Sequence, residues 1–347
     1  MFGRLGTGRI LSLMPTWQCT AACDACGTHS SPAVRTRLST SDMQAAIRQA
    51  AEAGYEAVGF TGGEATLAGR VLLELIELSK SLGLATRLVT NGHWARGPDR
   101  ARTKIDDFVS AGLDEINFST GDQHVRFVPL QRVLDGMYAS LARGLRVALM
   151  VEITDRRRVT AESIREMPGY VALSRRFPDS PISIYESPWM PLSPKEVAPY
   201  PDGLTVNARN VAQRSGCDSI LTTTTVQADG SITACCGLGM QDIPELRIGD
   251  IRVTPLSQAD RAASEDFLKR WIRVEGPERI LAWAATHDPD IEWENMYAHR
   301  CQACLRLYQD PAVRRTIRDH HQEKAADVAF AEWLLYHYAG ADPAGPD

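Results

Sequence analysis

The sequence has no run of about 18 apolar residues, the length that a membrane-spanning helix requires. Its N-terminus also lacks the apolar segment of a secretory signal peptide. The 347 residues include only 8 cysteines, too few for a disulfide-dense secreted scaffold. The net charge of −5 provides no basic excess of the kind that nucleic-acid-binding surfaces carry. We therefore expect a cytoplasmic protein with reduced thiols, no membrane span and no nucleic-acid partner.

The composition is ordinary for a globular protein, with 44% hydrophobic and 23% charged residues. A chain of this length forms one large or two modest domains. The basic runs at residues 156–158 and 175–176 are typical of solvated faces, although an anionic peptide would also suit the first of them. Residues 339–347 lack apolar bulk, so we expect them to fray.

A helix followed by a short apolar strand repeats through the first half of the chain at intervals of about 30 residues. Apolar residues recur on one face of each predicted helix, and the first helix is expected to start at Ser39, with Asp42 three residues later as in a capping box. Each repeat has a glycine at the junction, where a left-handed residue ends the helix at no steric cost: Gly54, Gly83, Gly112 and Gly144. Apolar segments at residues 10–14 and 181–186 bring the number of strands to about six. This pattern predicts a parallel sheet of βαβ units, either open and doubly wound or a partial barrel.

Polar loops follow the predicted strands. They contain the first three cysteines and then residues 61–64, 90–92 and 119–122, while Glu152 lies on the fifth strand. Ligands of parallel α/β folds bind at the carboxyl ends of the strands. We therefore expect these loops to meet at one functional site.

The first three cysteines, Cys19, Cys23 and Cys26, have C-x3-C-x2-C spacing. Thiolates are the usual protein ligands of iron–sulfur clusters, and three of them leave one iron of a [4Fe–4S] cluster open to a small molecule. Structural zinc sites favour two C-x2-C pairs and fit this spacing poorly. The spacing therefore favours an iron–sulfur cluster with a free coordination position.

This cysteine run, together with Gly62, Gly63 and Glu64, resembles the radical S-adenosylmethionine (radical SAM) family. The resemblance implies that S-adenosylmethionine binds the open iron and is cleaved to a 5′-deoxyadenosyl radical. It implies that Glu64 accepts a hydrogen bond from the methionine ammonium and that the two glycines let the backbone approach the ligand. It also implies a partial (β/α)6 TIM-like barrel, which we place at residues 1–200.

The resemblance further suggests four pocket residues. Ser119 and Asp122 would contact the ribose or carboxylate, and Asn91 and Glu152 would line the pocket, although turn and capping roles explain all four equally well. Ala25 departs from the family, which usually has an aromatic residue before the third cysteine. We therefore expect the adenine to pack on Phe60 or on a residue of a later loop.

The other five cysteines lie late in the chain. Their spacing resembles the SPASM and twitch domains that follow many radical SAM barrels, with Asp229-Gly230-Ser231 as a hairpin turn. The resemblance implies a small α+β domain at residues 201–310, with a β-hairpin and C-terminal helices, followed by a helix and tail at 311–347. It also implies a second [4Fe–4S] cluster, with structural zinc as the alternative, on Cys217, Cys235, Cys301 and Cys304.

Two residues have several interpretations. Cys236 is a buried small hydrophobe, the ligand in place of Cys235, or a hydrogen-atom donor to a substrate radical. His124 orients substrate, moves a proton or is structural. The aromatic residues Trp271, Trp283, Trp293 and Tyr297 either cap the substrate or pack the second domain.

The resemblance makes a ribosomally made peptide the first choice of substrate, modified by crosslinking, epimerisation or oxidation. Because the cysteine loop begins at residue 19, we expect leader binding to require a separate protein. An external electron donor such as flavodoxin or ferredoxin would reduce the cluster. The alternatives are a dehydrogenase or epimerase of a small aminocyclitol or sugar, and a non-catalytic iron–sulfur or zinc scaffold.

Overall fold

The computed structural model describes residues 8–180 and 182–339. Six parallel strands stand side by side in chain order, as the repeating pattern predicted. They are β1 (Ile10–Leu13), β2 (Ala57–Phe60), β3 (Ala85–Thr90), β4 (Glu115–Thr120), β5 (Arg146–Ile153) and β6 (Ser183–Pro188). The sixth strand begins two residues later than predicted, and Pro181 and residues 340–347 of the predicted tail lie outside the described residues.

Helices connect these strands, and all of them except the short helix directly after β4 bury apolar residues. They are α1 (Thr40–Glu52), α2 (Arg70–Ser81), α3 (Pro98–Ala111), α4 (Asp122–Val125), α5 (Leu130–Ala142), α6 (Ala161–Glu166) and α7 (Pro168–Arg176). The predicted cap of α1 is present, because the Ser39 hydroxyl accepts a hydrogen bond from the Asp42 amide. The four junction glycines have positive φ, which confirms their role in ending the helices.

The predicted hairpin is present, but it belongs to the main sheet. The strands β7 (Thr223–Val226), β8 (Ser231–Thr233) and β9 (Arg247–Asp250) are antiparallel to one another. Strand β7 also pairs in parallel with β1, so the sheet order is β6-β5-β4-β3-β2-β1-β7-β8-β9. Strand β8, which Cys235 follows, is thereby part of the same sheet as the first strand, with β7 between them.

The C-terminal helices after the first enclose a second core, whereas Leu256 and Ala259 of the first pack in the core of the barrel. The C-terminal helices are α8 (Leu256–Ser264), α9 (Phe267–Glu275), α10 (Pro277–His287), α11 (Arg300–Gln309), α12 (Pro311–His320) and α13 (Ala325–Ala339), with a 3-10 turn at His321–Lys324. Trp271 and Tyr297 are fully buried in the second core, so they pack the second domain and do not cap the cavity of the barrel. No helix of the described ranges has the length and apolarity to cross a membrane.

The two cores interleave along the chain. Val226 and Ile232 of the hairpin pack in the core of the barrel, whereas Met14 and Met190 pack in the second core. The domain boundaries at residues 200 and 310 therefore stay a prediction.

Candidate functional site

A cavity of about 330 Å³ lies at the carboxyl ends of the parallel strands. Residues from the segments after β1, β2, β3, β4 and β6 and from β5 line it, and all of these except the segment after β6 were predicted. The predicted residues that it brings together are Cys19, Cys23, Cys26, Gly62, Gly63, Asn91, Ser119, His124 and Glu152. Two further predicted residues, Glu64 and Asp122, are outside this lining.

The three cysteines are free and partly buried. Burial raises the pKa of Cys19 to about 11 and that of Cys23 to about 12, and the neighbouring thiols and carboxylates add to both shifts. The sulfur of Cys19 accepts hydrogen bonds from the Asn91 side-chain amide (3.6 Å) and the Ala21 backbone amide (3.4 Å). Without a cation the Cys19 and Cys23 thiols therefore stay protonated at neutral pH.

The sulfur spacing distinguishes between the two kinds of metal site. A tetrahedral zinc with Zn–S bonds of about 2.3 Å holds its sulfurs about 3.8 Å apart. Among the described residues, no three cysteine sulfurs lie within 4.8 Å of one another. Both cysteine groups are thus more open than a preformed zinc site, and this favours a larger iron–sulfur cluster.

Gly62 and Gly63 pack against the backbone that leads into the cysteine run. A Cβ atom on Gly63 would lie 2.3 Å from the Gln18 carbonyl oxygen, and one on Gly62 would lie 2.6 Å from that of Thr16. The amide of Gly63 also donates to the Thr16 carbonyl at 3.0 Å. The glycines therefore let this loop abut the cysteine loop, in addition to lining the cavity.

Glu64 is buried beneath the cavity. One carboxylate oxygen accepts hydrogen bonds from the hydroxyls of Thr66 (2.6 Å) and Thr90 (2.8 Å), and the other accepts from the Asn91 amide (2.9 Å). In this way Glu64 fixes the end of β3 and the position of Asn91. A contact between Glu64 and a methionine ammonium stays a prediction.

Glu152 and His124 form a pair in the cavity wall. The buried Glu152 carboxylate lies 2.7 Å from His124 Nδ1 and also accepts a hydrogen bond from the Gln123 amide at the start of α4. The ring of Trp189 meets the His124 ring edge-on, with centroids 6.3 Å apart. The carboxylate therefore orients the imidazole, and Nε2 is its remaining nitrogen.

Gly121 makes room for this pair. Its φ of 136° suits only glycine, and a Cβ there would lie 2.1 Å from Glu152 Oε2. We expect Gly121→Ala to lower the free energy of unfolding by about 3 kcal/mol, because strain adds to overpacking. The matched control is Gly144→Ala, which has φ of 75° and open space at the Cβ position, and should cost about 1 kcal/mol. Urea unfolding measures both, and equal losses would contradict this role.

Asp122 supports the loop after β5. Its carboxylate accepts hydrogen bonds from the amides of Arg158 (2.9 Å) and Val159 (3.3 Å). The basic run at residues 156–158 is thereby held beside α4. A contact between Asp122 and ribose stays a prediction.

The two aromatic residues considered for the adenine differ in position. Phe60 is fully buried in the barrel core and does not line the cavity, so the expectation that it packs on the adenine is wrong. Trp189, which follows β6, does line it. Sequence reasoning missed Trp189, because no motif marks the loop after the sixth strand.

Thr120 is a further cavity residue that sequence reasoning missed. It is 1% exposed and lines the cavity, yet its hydroxyl has no hydrogen-bond partner among the described residues. A buried hydroxyl without a partner costs free energy. A polar ligand in this cavity would remove that cost, so the residues present fit a bound polar cofactor.

A second cavity of about 250 Å³ contains Cys217, Cys235, Cys301 and Cys304. Gly237 lies between two of them, since a Cβ on it would be 3.0 Å from the Cys301 sulfur and 3.6 Å from the Cys235 sulfur. Burial raises the pKa of Cys301 to about 12 and also raises the pKa values of Cys235 and Cys304 well above their ordinary value. These thiols also require a cation to ionise.

Cys236 lies beside this group, since the Cys217 thiol contributes to raising its pKa and Cys236 contributes to raising that of Cys301. It is exposed and does not line the second cavity, and its sulfur lies 3.2 Å from the Ser219 hydroxyl. Its absence from the lining favours Cys235 as the ligand. Cys236 does not line the first cavity either, so no contact in the described part of the chain supports a role as hydrogen-atom donor.

Two residues connect to the second cavity without any signal in the sequence. His299 lines both cavities, and its Nδ1 accepts a hydrogen bond from the Cys301 amide at 3.1 Å. Burial and the Arg300 charge lower the pKa of His299 to about 4, so the ring is neutral with its proton on Nε2. Glu278 is 2% exposed in the second cavity, and its Oε2 has no hydrogen-bond partner among the described residues.

Comparison with known proteins agrees with the fold. Residues 13–167 match the Radical SAM superfamily. YydG of Bacillus subtilis (strain 168), whose name assigns it provisionally to peptide biosynthesis, is 29% identical over 112 residues. That match covers 32% of this chain and spans about a third (35%) of the length of YydG.

Two solved structures resemble nearly the whole chain. Native anSMEcpe with bound AdoMet and Cp18Cys peptide has a TM-score of 0.55 at 13% identity and covers 94% of this chain and 99% of its own. A histidine-tagged anSMEcpe with bound AdoMet has a TM-score of 0.54 at 14% identity and covers 89% and 99%. At these identities the likeness concerns the fold alone.

Proposed function

We propose that this chain, whose residues 13–167 match the Radical SAM superfamily, is a radical SAM enzyme that modifies a peptide. The observation that carries the proposal is the convergence of three free cysteines and four further loops on one cavity. When bound there, a [4Fe–4S] cluster and S-adenosylmethionine supply a 5′-deoxyadenosyl radical that takes a hydrogen atom from an unactivated carbon.

In this proposal the cavity residues have separate tasks. Cys19, Cys23 and Cys26 hold the cluster. The hydrogen bond from the Asn91 side chain to the Cys19 sulfur tunes the reduction potential of the cluster. Contacts to S-adenosylmethionine come from residues that line the cavity: Gly62, Gly63, Ser119, Thr120 and Glu152. Thr120 then donates the hydrogen bond that its buried hydroxyl lacks.

Glu152 occupies Nδ1 of His124, so Nε2 is the nitrogen that remains for a ligand. Through this atom His124 is proposed to orient the substrate or to transfer a proton to or from it. We expect His124→Ala to retain 5′-deoxyadenosine formation without substrate and to lower product formation about 100-fold. Chromatography of 5′-deoxyadenosine and mass spectrometry of the product separate the two effects.

The control for this variant is His337→Ala. His337 is exposed on α13, stacks on Trp333 and lines neither cavity, so its removal should change neither quantity. Unchanged product formation by His124→Ala would assign that histidine a structural role.

We also propose one auxiliary [4Fe–4S] cluster on Cys217, Cys235, Cys301 and Cys304, which makes two clusters per chain. The shared cavity and the open spacing of the sulfurs support iron–sulfur over zinc. The neutral His299 ring, which lines both cavities, then lies between the two clusters.

A peptide is the proposed substrate class. The name of YydG and the peptide bound to anSMEcpe support it, and the exposed cationic loop at residues 156–158 beside α4 suits an acidic peptide. A separate leader-binding protein and an external electron donor such as flavodoxin or ferredoxin complete the proposal. All eight cysteines are free, which supports a cytoplasmic location.

Substrate-stimulated consumption of S-adenosylmethionine tests the substrate class. The cluster-loaded enzyme is incubated anaerobically with dithionite, S-adenosylmethionine and either a pool of synthetic acidic peptides or a set of aminocyclitols and sugars. We expect peptides to raise 5′-deoxyadenosine formation and to change in mass. Stimulation by the small molecules alone would favour the dehydrogenase or epimerase alternative.

A further inference from the structure

Three side chains remote from both cavities converge on one point at the surface of the C-terminal helices. We propose that His287, His320 and Glu323 form a site for one divalent transition-metal ion such as Zn²⁺. Their ligand atoms all lie within 4.8 Å of one another, and none of the three residues lines either cysteine cavity. The site is therefore separate from the radical chemistry.

The local geometry holds the imidazoles in place. The rings of His287 and His320 are stacked, with centroids 4.4 Å apart and planes at 19°. Trp283 packs against His287 with a centroid distance of 4.8 Å. Glu323 Oε1 lies 2.7 Å from His287 Nε2. Since three elements contribute one donor each, the site exists only in the folded protein.

The set of donors determines the class of ion. Two imidazoles and one carboxylate suit Zn²⁺ and its neighbours in the transition series, whereas Mg²⁺ and Ca²⁺ require oxygen ligands. With bonds of about 2.0–2.2 Å, a tetrahedral ion needs its ligands about 3.4 Å apart. The observed spacing differs from this, so binding would require the side chains to rotate toward the ion, and solvent would supply the fourth ligand.

The surrounding charges favour a cation. His287 ends α10 and His320 ends α12, and the carbonyl groups at a helix C-terminus carry partial negative charge. The nearest lysine in sequence, Lys324, is neutralised by Glu275 (2.9 Å) and Asp327 (3.0 Å). A bound ion would tie the end of α10 to the turn after α12, which is a structural role.

The test requires protein with its clusters loaded, because empty cysteine sites also bind zinc. Anaerobic calorimetric titration with Zn²⁺ should show one ion per chain, and Mg²⁺ should not bind. His320→Gln and Glu323→Gln should each weaken Zn²⁺ binding at least about tenfold. Zn²⁺ should raise the melting temperature of the parent protein and not that of these variants.

The matched control is His321→Gln, which changes the adjacent histidine. His321 contacts the Arg318 carbonyl through Nδ1 and packs near Phe267, so its replacement should leave Zn²⁺ binding intact. Iron content and circular dichroism identify any variant that fails to fold, and the half-exposed Glu323 provides a replacement with little effect on packing. Absence of Zn²⁺ binding to the parent protein, or equal binding by Glu323→Gln, would overturn the proposal.

Discussion

Replacing Cys23 by alanine is expected to remove one of two iron–sulfur clusters. Cys23 lines the main cavity, and its buried thiol has its pKa raised to about 12, so only a bound cation ionises it. Two remaining thiolates leave two irons of the cubane without protein ligands. The reconstituted variant should therefore contain about four irons per chain where the parent contains about eight.

Electron paramagnetic resonance of the dithionite-reduced protein identifies which cluster is lost. In the parent protein, S-adenosylmethionine should change the signal of one cluster, and in Cys23→Ala this change should disappear. The matched control is Cys236→Ala, which removes an exposed thiol outside both cavities and should behave like the parent. An unchanged iron content in Cys23→Ala would contradict the assignment of the first cluster.

Replacing Cys304 by alanine is expected to remove the other cluster. Cys301 and Cys304 are three positions apart on one face of α11, and both line the second cavity. The variant should again contain about four irons per chain, but S-adenosylmethionine should still change the electron paramagnetic resonance signal of the remaining cluster. It should form 5′-deoxyadenosine without substrate and lose product formation about 100-fold or more.

The variants Cys235→Ala and Cys236→Ala show which of the two adjacent thiols is the ligand of the auxiliary cluster. Cys235 lines the second cavity and Cys236 does not. Cys235→Ala should therefore lose iron and product formation to the same extent as Cys304→Ala, and Cys236→Ala should retain both. The reverse result would make Cys236 the ligand. If the parent protein contained one zinc and about four irons per chain, the second cysteine site would hold a structural zinc and not an auxiliary cluster.

Local sequence signals predicted much of this fold and site. The apolar faces of the helices, the cap at Ser39 and the positive-φ glycines depend on residues close in sequence, and so they could be predicted directly. The carboxyl ends of parallel strands lie at one edge by topology. This is why the loops with Cys19 and Asn91, far apart in the chain, were expected to meet.

Long-range packing determined what the sequence could not show. The pairing of β7 with β1 joins residues more than 200 apart, and hairpin propensity does not select that partner. His299 and Glu278 have ordinary neighbours in sequence and become part of the second cavity only through the packing of α10 and α11. The sequence also did not show that the Glu64 carboxylate accepts hydrogen bonds from Thr66, Thr90 and Asn91.

Reductive cleavage of S-adenosylmethionine is the most direct test of the central claim. The anaerobically reconstituted protein is reduced with dithionite and incubated with S-adenosylmethionine, and 5′-deoxyadenosine and methionine are quantified by chromatography. We predict formation of both by the parent protein and by Cys236→Ala, and neither by Cys23→Ala. Absence of 5′-deoxyadenosine from the cluster-loaded parent protein, with and without the peptide pool, would contradict the radical enzyme and leave an iron–sulfur scaffold.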